Sequence, residues 1–373
     1  MFLLFCLLIA GIVIWRGIMP FKIAKWLKIT LSAAAFLVAF NFVIIRLAGL
    51  ENMPVPVLLI LAWFFSVQVL YIQWLVIYEF IYWSLRGILY WRKRPVPPVM
   101  TRWYWRAGML LPAVLIASVG MYNALKMPDV REYEIVLEDL PPELDGMTIA
   151  HLSDIHADRI TDGDKVAAIV KRVNDLNPDL IVLTGDMVDR RVDVIDKDLQ
   201  SLGNLRAKYG VYGVPGNHEY YSGYEKWMQF LRSTGIVMLE NQHVVIADGK
   251  IVLGGTTDPA AEKMNMEVPD LAKTFANAPD GKMRLLLAHQ PKVAAQAADA
   301  NVALQLSGHT HGGMLYGFDM VVAAFNYGMI SGEYDYGKTK VFVSNGTGIW
   351  SGFPVRFGRG SEIVLLRLRA AKR

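Results

Sequence analysis

A single cysteine, Cys6, stands in a chain of 373 residues, which excludes an intramolecular disulfide framework and any metal site built from clustered thiolates. Charge is scarce as well. Only 19% of the residues are Asp, Glu, Lys or Arg, beside 54% hydrophobic ones, and an ordinary soluble domain carries about a quarter charged residues. The composition therefore excludes a disordered chain and argues against a single soluble globule. Acidic residues are almost missing from the first third. Residues 1–126 hold 2 of them against 12 Lys or Arg, a net +10, while residues 127–373 hold 32 against 26, a net −6. The overall +4 thus belongs to the hydrophobic third, and no nucleic-acid binding is expected from it.

What the first third does have is long apolar runs. A bilayer core about 30 Å thick needs roughly 20 largely apolar residues in a helix, and four candidates meet or approach this, at about 1–19, 29–49, 53–83 and 107–125. The first is the weakest, with an uninterrupted apolar run of 15 residues, Met1 to Trp15, and a secretory signal peptide competes for it, but the basic leader of such a peptide is lacking. Loop charge then orients the spans, because Lys and Arg near span ends stay on the cytoplasmic side. Arg16 to Lys28 carries four basic residues and Arg86 to Arg106 six, with no acid in either, whereas Arg46 to Glu51 is short and balanced. Both basic loops are expected in the cytoplasm, so everything after Lys126 is expected outside it. Eight of the ten tryptophans precede residue 127, and Trp83, Trp91, Trp103 and Trp105 flank the second basic loop as an interfacial belt would. Among the intramembrane polar residues, Glu79 reads as a solvated interfacial carboxylate, and Asn41, Gln68, Gln73 and Asn123 as helix contacts.

The domain plan is a membrane region at 1–126, a short linker with an edge strand at 127–146, and a body at 147–373. In the body, apolar strands alternate with amphipathic stretches: Met147 to Leu152, a helix near Asp164 to Leu176, Leu180 to Leu183, a helix near Val194 to Lys208, and Val211 to Val214. This β-α-β-α-β order predicts a largely parallel sheet. His243 to Gly254 alternates around Asp248-Gly249, a two-residue hairpin signal. Further strands are predicted at Arg284 to Leu287, Ala303 to Leu306, Lys340 to Val343 and Glu362 to Leu368, preceded by an edge strand at Tyr133 to Asp139.

Almost every one of these strands runs into a metal-ligand residue. The first leads to Ser153-Asp154-Ile155-His156, the second to Gly185-Asp186-Met187-Val188-Asp189 and the third to Gly216-Asn217-His218-Glu219. Leu287 leads to His289, and Leu306 to Gly308-His309-Thr310-His311. Open α/β sheets place their sites at strand carboxyl ends, so these loops are expected to converge. In an extended segment, residues spaced by two point the same way, which pairs Asp154 with His156 and His309 with His311. With Asp186, Asn217 and His289 the set reaches seven nitrogen and oxygen donors, too many for one divalent ion and suited to two sharing a carboxylate. Imidazole and carboxylate without thiolate suit Mn, Fe, Zn, Ni or Co better than Mg or Ca.

In this order, the blocks DIH, GDMVD, GNHE, a lone His and GHTH resemble the calcineurin-like metallophosphoesterase superfamily, over residues 147–373. The chain is most similar to the membrane-anchored branch whose last block continues GHTHGG and whose C-terminal part has a Gly-rich turn, here Asn345 to Gly348, before an Arg-containing segment. Met314 stands where that branch leads one to expect Gln, outside the ligand set. The resemblance implies a two-sheet αββα sandwich, an α/β metallophosphoesterase domain carried by a multi-pass α-helical membrane region. It implies that Asp154, His156, Asp186 and His311 hold one divalent ion and Asp186, Asn217, His289 and His309 the other, with Mn, Zn or Fe foremost. Such a pair lowers the pKa of a bridging water and clamps phosphate oxygens. His218 is implied as the catalytic residue, stabilising charge or protonating the leaving oxygen.

The expected enzyme is a membrane-bound hydrolase of a phosphoester or pyrophosphate, with a phospholipid or lipid-linked pyrophosphate as the leading substrate class and membrane lipid as surroundings. Two other readings stay open: a phosphodiesterase for small soluble phosphodiesters such as nucleotides, anchored by its spans, and a non-catalytic phosphate-binding receptor or scaffold. His151 and His243 read as structural, and Asp189 and Asp258 as carboxylates behind the ligands or in turns. Tyr220, Tyr224, Trp227 and Leu231 fit one helix face and read as packing. Gly312 to Met329, rich in Gly, Met, Tyr and Phe with Asp319 as its one charge, reads first as core packing and second as a lipid contact.

Overall fold

The structure is a computed structural model that describes residues 2–47, 53–97 and 103–371. Met1, most of the Arg46 to Glu51 connection, the end of the second predicted span and residues 98–102 of the second basic loop lie outside the described residues. The chain divides into two units, Met1–Tyr122 with Gly352–Val355 and Asn123–Ser351 with Arg356–Arg373.

The first unit is helical. α1 (Phe2–Ile12) passes into a π-helical turn at Val13–Ile18, followed by α2 (Lys25–Ala39), α3 (Asn41–Leu47), α4 (Val55–Trp91), α5 (Trp103–Gly108) and α6 (Leu110–Leu125). Two helical runs, Val55–Trp91 and Trp103–Leu125, are long and apolar enough to cross a membrane, while Leu3–Ile18 is shorter. The second predicted span breaks at Phe40 into α2 and α3. Gly17 is required by close packing, since a Cβ there would lie 2.7 Å from the Tyr71 ring. Gln68 donates to the Ala35 carbonyl at 3.0 Å and Asn41 to the Leu61 carbonyl at 3.3 Å, the helix contacts expected of them. Glu79 differs from expectation: it is ion-paired, 2.8 Å from Arg106 and 3.9 Å from Arg16, and also accepts from the Trp83 indole. A paired carboxylate avoids the cost of an isolated charge among apolar helices.

The second unit holds β1 (Asp129–Leu137), β2 (Thr148–Leu152), α7 (Gly163–Asp175), β3 (Leu180–Thr184), α8 (Val192–Leu199), β4 (Val211–Val214), α9 (Asn217–Ser233) and β5 (Val237–Met238). It continues with β6 (Gln242–Ile246), β7 (Ile251–Gly255), α10 (Leu271–Thr274), β8 (Met283–Leu287), α11 (Ala294–Asp299), β9 (Val302–Ser307), α12 (Asp319–Ala324), β10 (Gly332–Tyr336), β11 (Thr339–Val343) and β12 (Glu362–Ala370). Two six-stranded mixed sheets result, in the orders β1-β12-β2-β3-β4-β5 and β10-β11-β9-β8-β7-β6. Strands β2 to β5 are mutually parallel, as are β7, β8, β9 and β11.

Burial explains the layering. Ile149, Leu180, Val182 and Leu366 of one sheet pack with Leu253, Leu285, Leu304 and Phe342 of the other in a dry central layer. The outer face of the first sheet, with Leu152, Ile181 and Leu183, is covered by Val166, Ile169 and Val173 of α7 and by Trp227 and Leu231 of α9. The outer face of the second, with Val252 and Leu286, is covered by Leu271 and Ala297 of α10 and α11. The product is an αββα arrangement whose strands are apolar on both faces, as buried parallel strands require.

The β6–β7 hairpin turns where the sequence places it: His243 pairs with Gly254 and Ile246 with Ile251, Lys250 N–H donates to the Ala247 carbonyl at 3.1 Å, and the two central residues, Asp248 and Gly249, both have positive φ. Two differences from the sequence reading have local causes. The helix expected over Val194 to Lys208 stops at Leu199 and continues as a 3-10 turn, Gln200–Asn204. β5 and β10 went unpredicted, one being two residues long and the other, GEYDY, too polar to read as apolar alternation.

Trp227 is fully buried and its indole N–H donates to the Arg190 carbonyl at 2.8 Å. Trp227→Ala is expected to destabilise the fold by about 3–5 kcal/mol, read as a fall in the thermal unfolding midpoint of the detergent-solubilised chain. A midpoint within a degree of the parent would show that this helix does not depend on its anchor.

Candidate metal centre

The parallel strands β2, β3 and β4 of one sheet and β8 and β9 of the other end at one edge of the sandwich, and the five loops that follow carry the polar residues. The backbone there is not extended. Asp154, His156, Asp186, His309 and His311 all have positive φ, between 49° and 72°. The alternation expected for Asp154 with His156 and for His309 with His311 therefore does not apply. Each left-handed non-glycine residue costs of order 1 kcal/mol, and hydrogen bonds offset it. Asp154 N–H donates to the Gly185 carbonyl and His156 N–H to the Asp186 carbonyl, both at 3.0 Å.

The buried Glu219 carboxylate secures the next two loops. It accepts from the backbone N–H groups of Asp186 at 2.9 Å, Met187 at 2.7 Å and Gly216 at 2.7 Å. Burial, reinforced by the charge of Asp186, pushes its pKa up to about 7. Glycine is obligatory where loops meet: a Cβ on Gly216 would lie 2.2 Å from Asp186 Oδ1, and one on Gly308 would lie 1.7 Å from Ser153 Oγ.

These loops sort the seven predicted ligand residues into two groups. In the first, one donor atom from each of Asp154, His156 and His311 lies within 4.8 Å of the others, and the Nε2 atoms of the two rings are 2.9 Å apart. In the second, Asp186, His289 and His309 meet the same criterion. His289 Nε2 is 3.2 Å from Asp186 Oδ2, from Asn217 Oδ1 and from His309 Nδ1. Asp186 Oδ2 is also 3.9 Å from His156 Nε2, so it lies between the groups. His309 and His311, neighbours but one in sequence, therefore separate into different groups.

The donor set fits a pair of divalent cations. His156 Nδ1 is held by Asp189 at 2.6 Å, and His289 Nδ1–H donates to the Thr184 carbonyl at 2.7 Å, leaving each Nε2 lone pair aimed at its group. Arg356, buried at 2% exposure, donates to His311 Nδ1 at 2.8 Å, to the Gly348 carbonyl at 2.9 Å and to the His311 carbonyl. An arginine only donates, so His311 carries its proton on Nε2 and gives it to His156 Nε2 at 2.9 Å. Burial lowers the Arg356 pKa to about 10, still charged at neutrality.

His218 stands beside both groups. Its Nδ1 is 2.6 Å from Asp189 Oδ1, the same oxygen that holds His156, and its Nε2 is 3.9 Å from Asp186 Oδ2. Its side chain is 22% exposed, against 1% for His156 and 0% for His289, so an incoming molecule can reach it, as it can the half-buried His309. Burial works against its cation, but Asp186 and Asp189 outweigh this and push the pKa up to about 10.

Other residues fall where the sequence reading put them. His151 is fully buried against Thr184 Oγ1 at 2.7 Å, and burial lowers its pKa to about 3. His243 donates to the Thr274 carbonyl at 2.8 Å. Asp258 caps a turn through Ala260 N–H and accepts from Gln290 at 3.1 Å. Tyr220, Trp227 and Leu231 are buried. The parts of Glu219 and Arg356 were not foreseen. Glu219 lies inside the GNHE block and Arg356 inside the Arg-containing segment, so only their partners were unreadable.

A family model described as calcineurin-like phosphoesterase matches residues 147–313. A Helicobacter pylori strain J99 protein named as an uncharacterized metallophosphoesterase is 37% identical over 266 residues, 70% of this chain and 70% of that one. A Danio rerio protein named as a transmembrane protein with metallophosphoesterase domain is 34% identical over 275 residues, 71% of this chain and 62% of that one. Its Bos taurus namesake is 34% identical over 276 residues, 70% of this chain and 62% of that one.

The His218 shift has a testable sign. In metal-free protein, the pairing of charged His218 with Asp186 and Asp189 stabilises the fold fully below the ordinary histidine value of 6.5 and is lost as pH rises through about 10. The difference in unfolding midpoint between chelator-treated parent and His218→Ala is expected to shrink across that window. A difference independent of pH would count against the ion pairing.

Proposed function

Because the chain belongs to the calcineurin-like phosphoesterase family and is a metal-dependent phosphoesterase, we propose that it is a multi-pass membrane enzyme whose body, residues 147–373, hydrolyses a phosphoester or pyrophosphate at two divalent ions. The observation that carries this reading is the position of Asp186 Oδ2, 3.9 Å from His156 and 3.2 Å from His289, between two donor groups and beside the accessible His218. Asp154, His156, Asp186 and His311 would hold one ion, and Asp186, Asn217, His289 and His309 the other, with Mn, Zn or Fe suited to the donors.

Two such ions polarise phosphoryl oxygens and acidify a water. The remaining tasks belong to side chains of this chain. Asn217 is neutral, so only two carboxylates face four positive charges and the site attracts a phosphate anion. Arg356 adds a buried cation behind His311. Asp189 fixes His218 through Nδ1, which turns Nε2 toward the opening, where the imidazolium stabilises developing charge and gives its proton to the departing oxygen.

The membrane reading rests on residues 1–126: Val55–Trp91 and Trp103–Leu125 span, the stretches near 1–19 and 29–49 complete a four-span bundle, and the basic loops place the body outside the cytoplasm. Three residues, Lys126 to Pro128, connect α6 to β1, so the body works at a membrane face. A phospholipid or lipid-linked pyrophosphate is accordingly the substrate class favoured here.

His218→Ala is expected to keep two equivalents of metal while turnover of an aryl phosphodiester falls about 10²-fold or more; loss of metal would make it a ligand instead. Asp186→Ala is expected to lose metal and turnover together, and unchanged turnover would sink the site assignment. A reporter active only in the cytoplasm, fused after Lys126, is expected to be silent.

A further inference from the structure

The residues from Thr310 to Ile330 leave the metal centre and return to it as one arm. Its base is tied. Thr310 Oγ1 donates to the Ile330 carbonyl at 2.7 Å, and Leu315 and Met329 are each 4% exposed. Arg359 grips it from below, reaching the Gly312 carbonyl and Asp319 at 3.1 Å and lying over the Tyr316 ring at 5.6 Å. Gly313 admits the return, since a Cβ there would lie 2.3 Å from Asp319 Cβ.

The tip is different. Tyr316 is 59% exposed, Met320 76%, Val321 47%, Phe325 71% and Tyr327 76%, and no residue of α12 is buried. Core packing, the first expectation for this segment, is therefore wrong for the tip. Six residues of helix and a flanking turn are too short to fold an apolar face back on themselves. A rigid base thus presents an apolar tip whose one charge, Asp319, is already offset by Arg359. Tyrosine, phenylalanine and methionine without uncompensated charge match the interfacial zone of a bilayer, where an apolar body and a wet hydroxyl are both satisfied. A bilayer is also at hand, because three residues join this unit to α6.

We propose that the 315–329 arm inserts its tip into the lipid interface next to the metal centre. This rests on the reading of α4 and α6 as membrane spans. Its consequence is that the site opens onto the bilayer surface, where a phosphate carried by a lipid headgroup reaches His218 without leaving the membrane.

The test uses the full chain in phosphatidylcholine–phosphatidylglycerol vesicles, with Cys6→Ser and single nitroxides at Met320→Cys, Phe325→Cys, Val76→Cys on α4 and Lys282→Cys at the far edge of the second sheet. Collisions with oxygen report hydrocarbon, and collisions with a nickel chelate report water. Labels at 320 and 325 are expected to show chelate accessibility about a tenth of that at 282, as for side chains seated 5–10 Å into the headgroup region. If 76 reports lipid while 320 and 325 report water, the arm proposal fails alone. If 76 reports water, the membrane reading fails with it. Shielding of 320 and 325 from both reagents, with spin–spin broadening between copies, would make the tip a protein interface and overturn the lipid assignment. An unfolding midpoint equal to the parent's confirms that each labelled chain keeps its fold.

Discussion

The Glu219 carboxylate accepts from three backbone N–H groups, those of Asp186, Met187 and Gly216, and so ties the ends of β3 and β4 to the start of α9. Hydrogen bonds to a charged acceptor are each worth about 1.5–3 kcal/mol, enough to hold Asp186 in a left-handed backbone that an L-residue adopts reluctantly. Everything at the site depends on that hold. Asp186 lies between two donor groups only because its loop turns sharply, and His218 follows Asn217 into the first turn of α9 because Gly216 leaves room for the Asp186 carboxylate.

A second constraint is electrostatic. The buried carboxylates of Asp154, Asp186 and Glu219, four imidazoles and the buried Arg356 crowd one edge of the sandwich, and the rings form a chain of donors and acceptors from Arg356 through His311 and His156 to Asp189. Asp189 ends this chain and also holds His218, so one carboxylate orients the buried His156 ring and the more exposed His218 ring together. The nitrogen atoms aimed inward are mostly those left after the opposite nitrogen is spoken for.

Much of this was readable in the chain. The strands β2, β3, β4, β8, β9, β11 and β12 announce themselves as short apolar runs, because strands buried on both faces need apolar residues throughout. Asp154, Asp186, His289 and the GHTH pair follow them directly, so convergence at one edge was implied by parallel topology. Side chains do not alternate at Asp154, His156, His309 and His311, because φ is positive there and left-handed residues break the period of two. The hairpin was legible, because Asp248-Gly249 accepts the positive φ of a tight turn and the register is centred on it. The arm at 315–329 looked like core because its composition is apolar, and composition does not say which side of a fold a segment faces.

The sequence by itself determined the chemistry available: no clustered thiolates, an Asp–His pair, a His–His pair and a lone histidine after strands, an acidic body, and a front third too apolar and too basic for water alone. These are properties of residue type and spacing, and they survive any folding. The tertiary structure decided which nitrogen of each ring is free, that His218 and His309 stay partly open to solvent, that Glu219 and Arg356 support the centre, and that the arm shows an apolar tip. Those depend on atoms distant in sequence, from Asp189 beside His156 and Glu219 beside Asp186, 33 residues apart, to Thr184 behind His289, 105 apart, and His311 beside His156, 155 apart, brought together only when the strand ends converge.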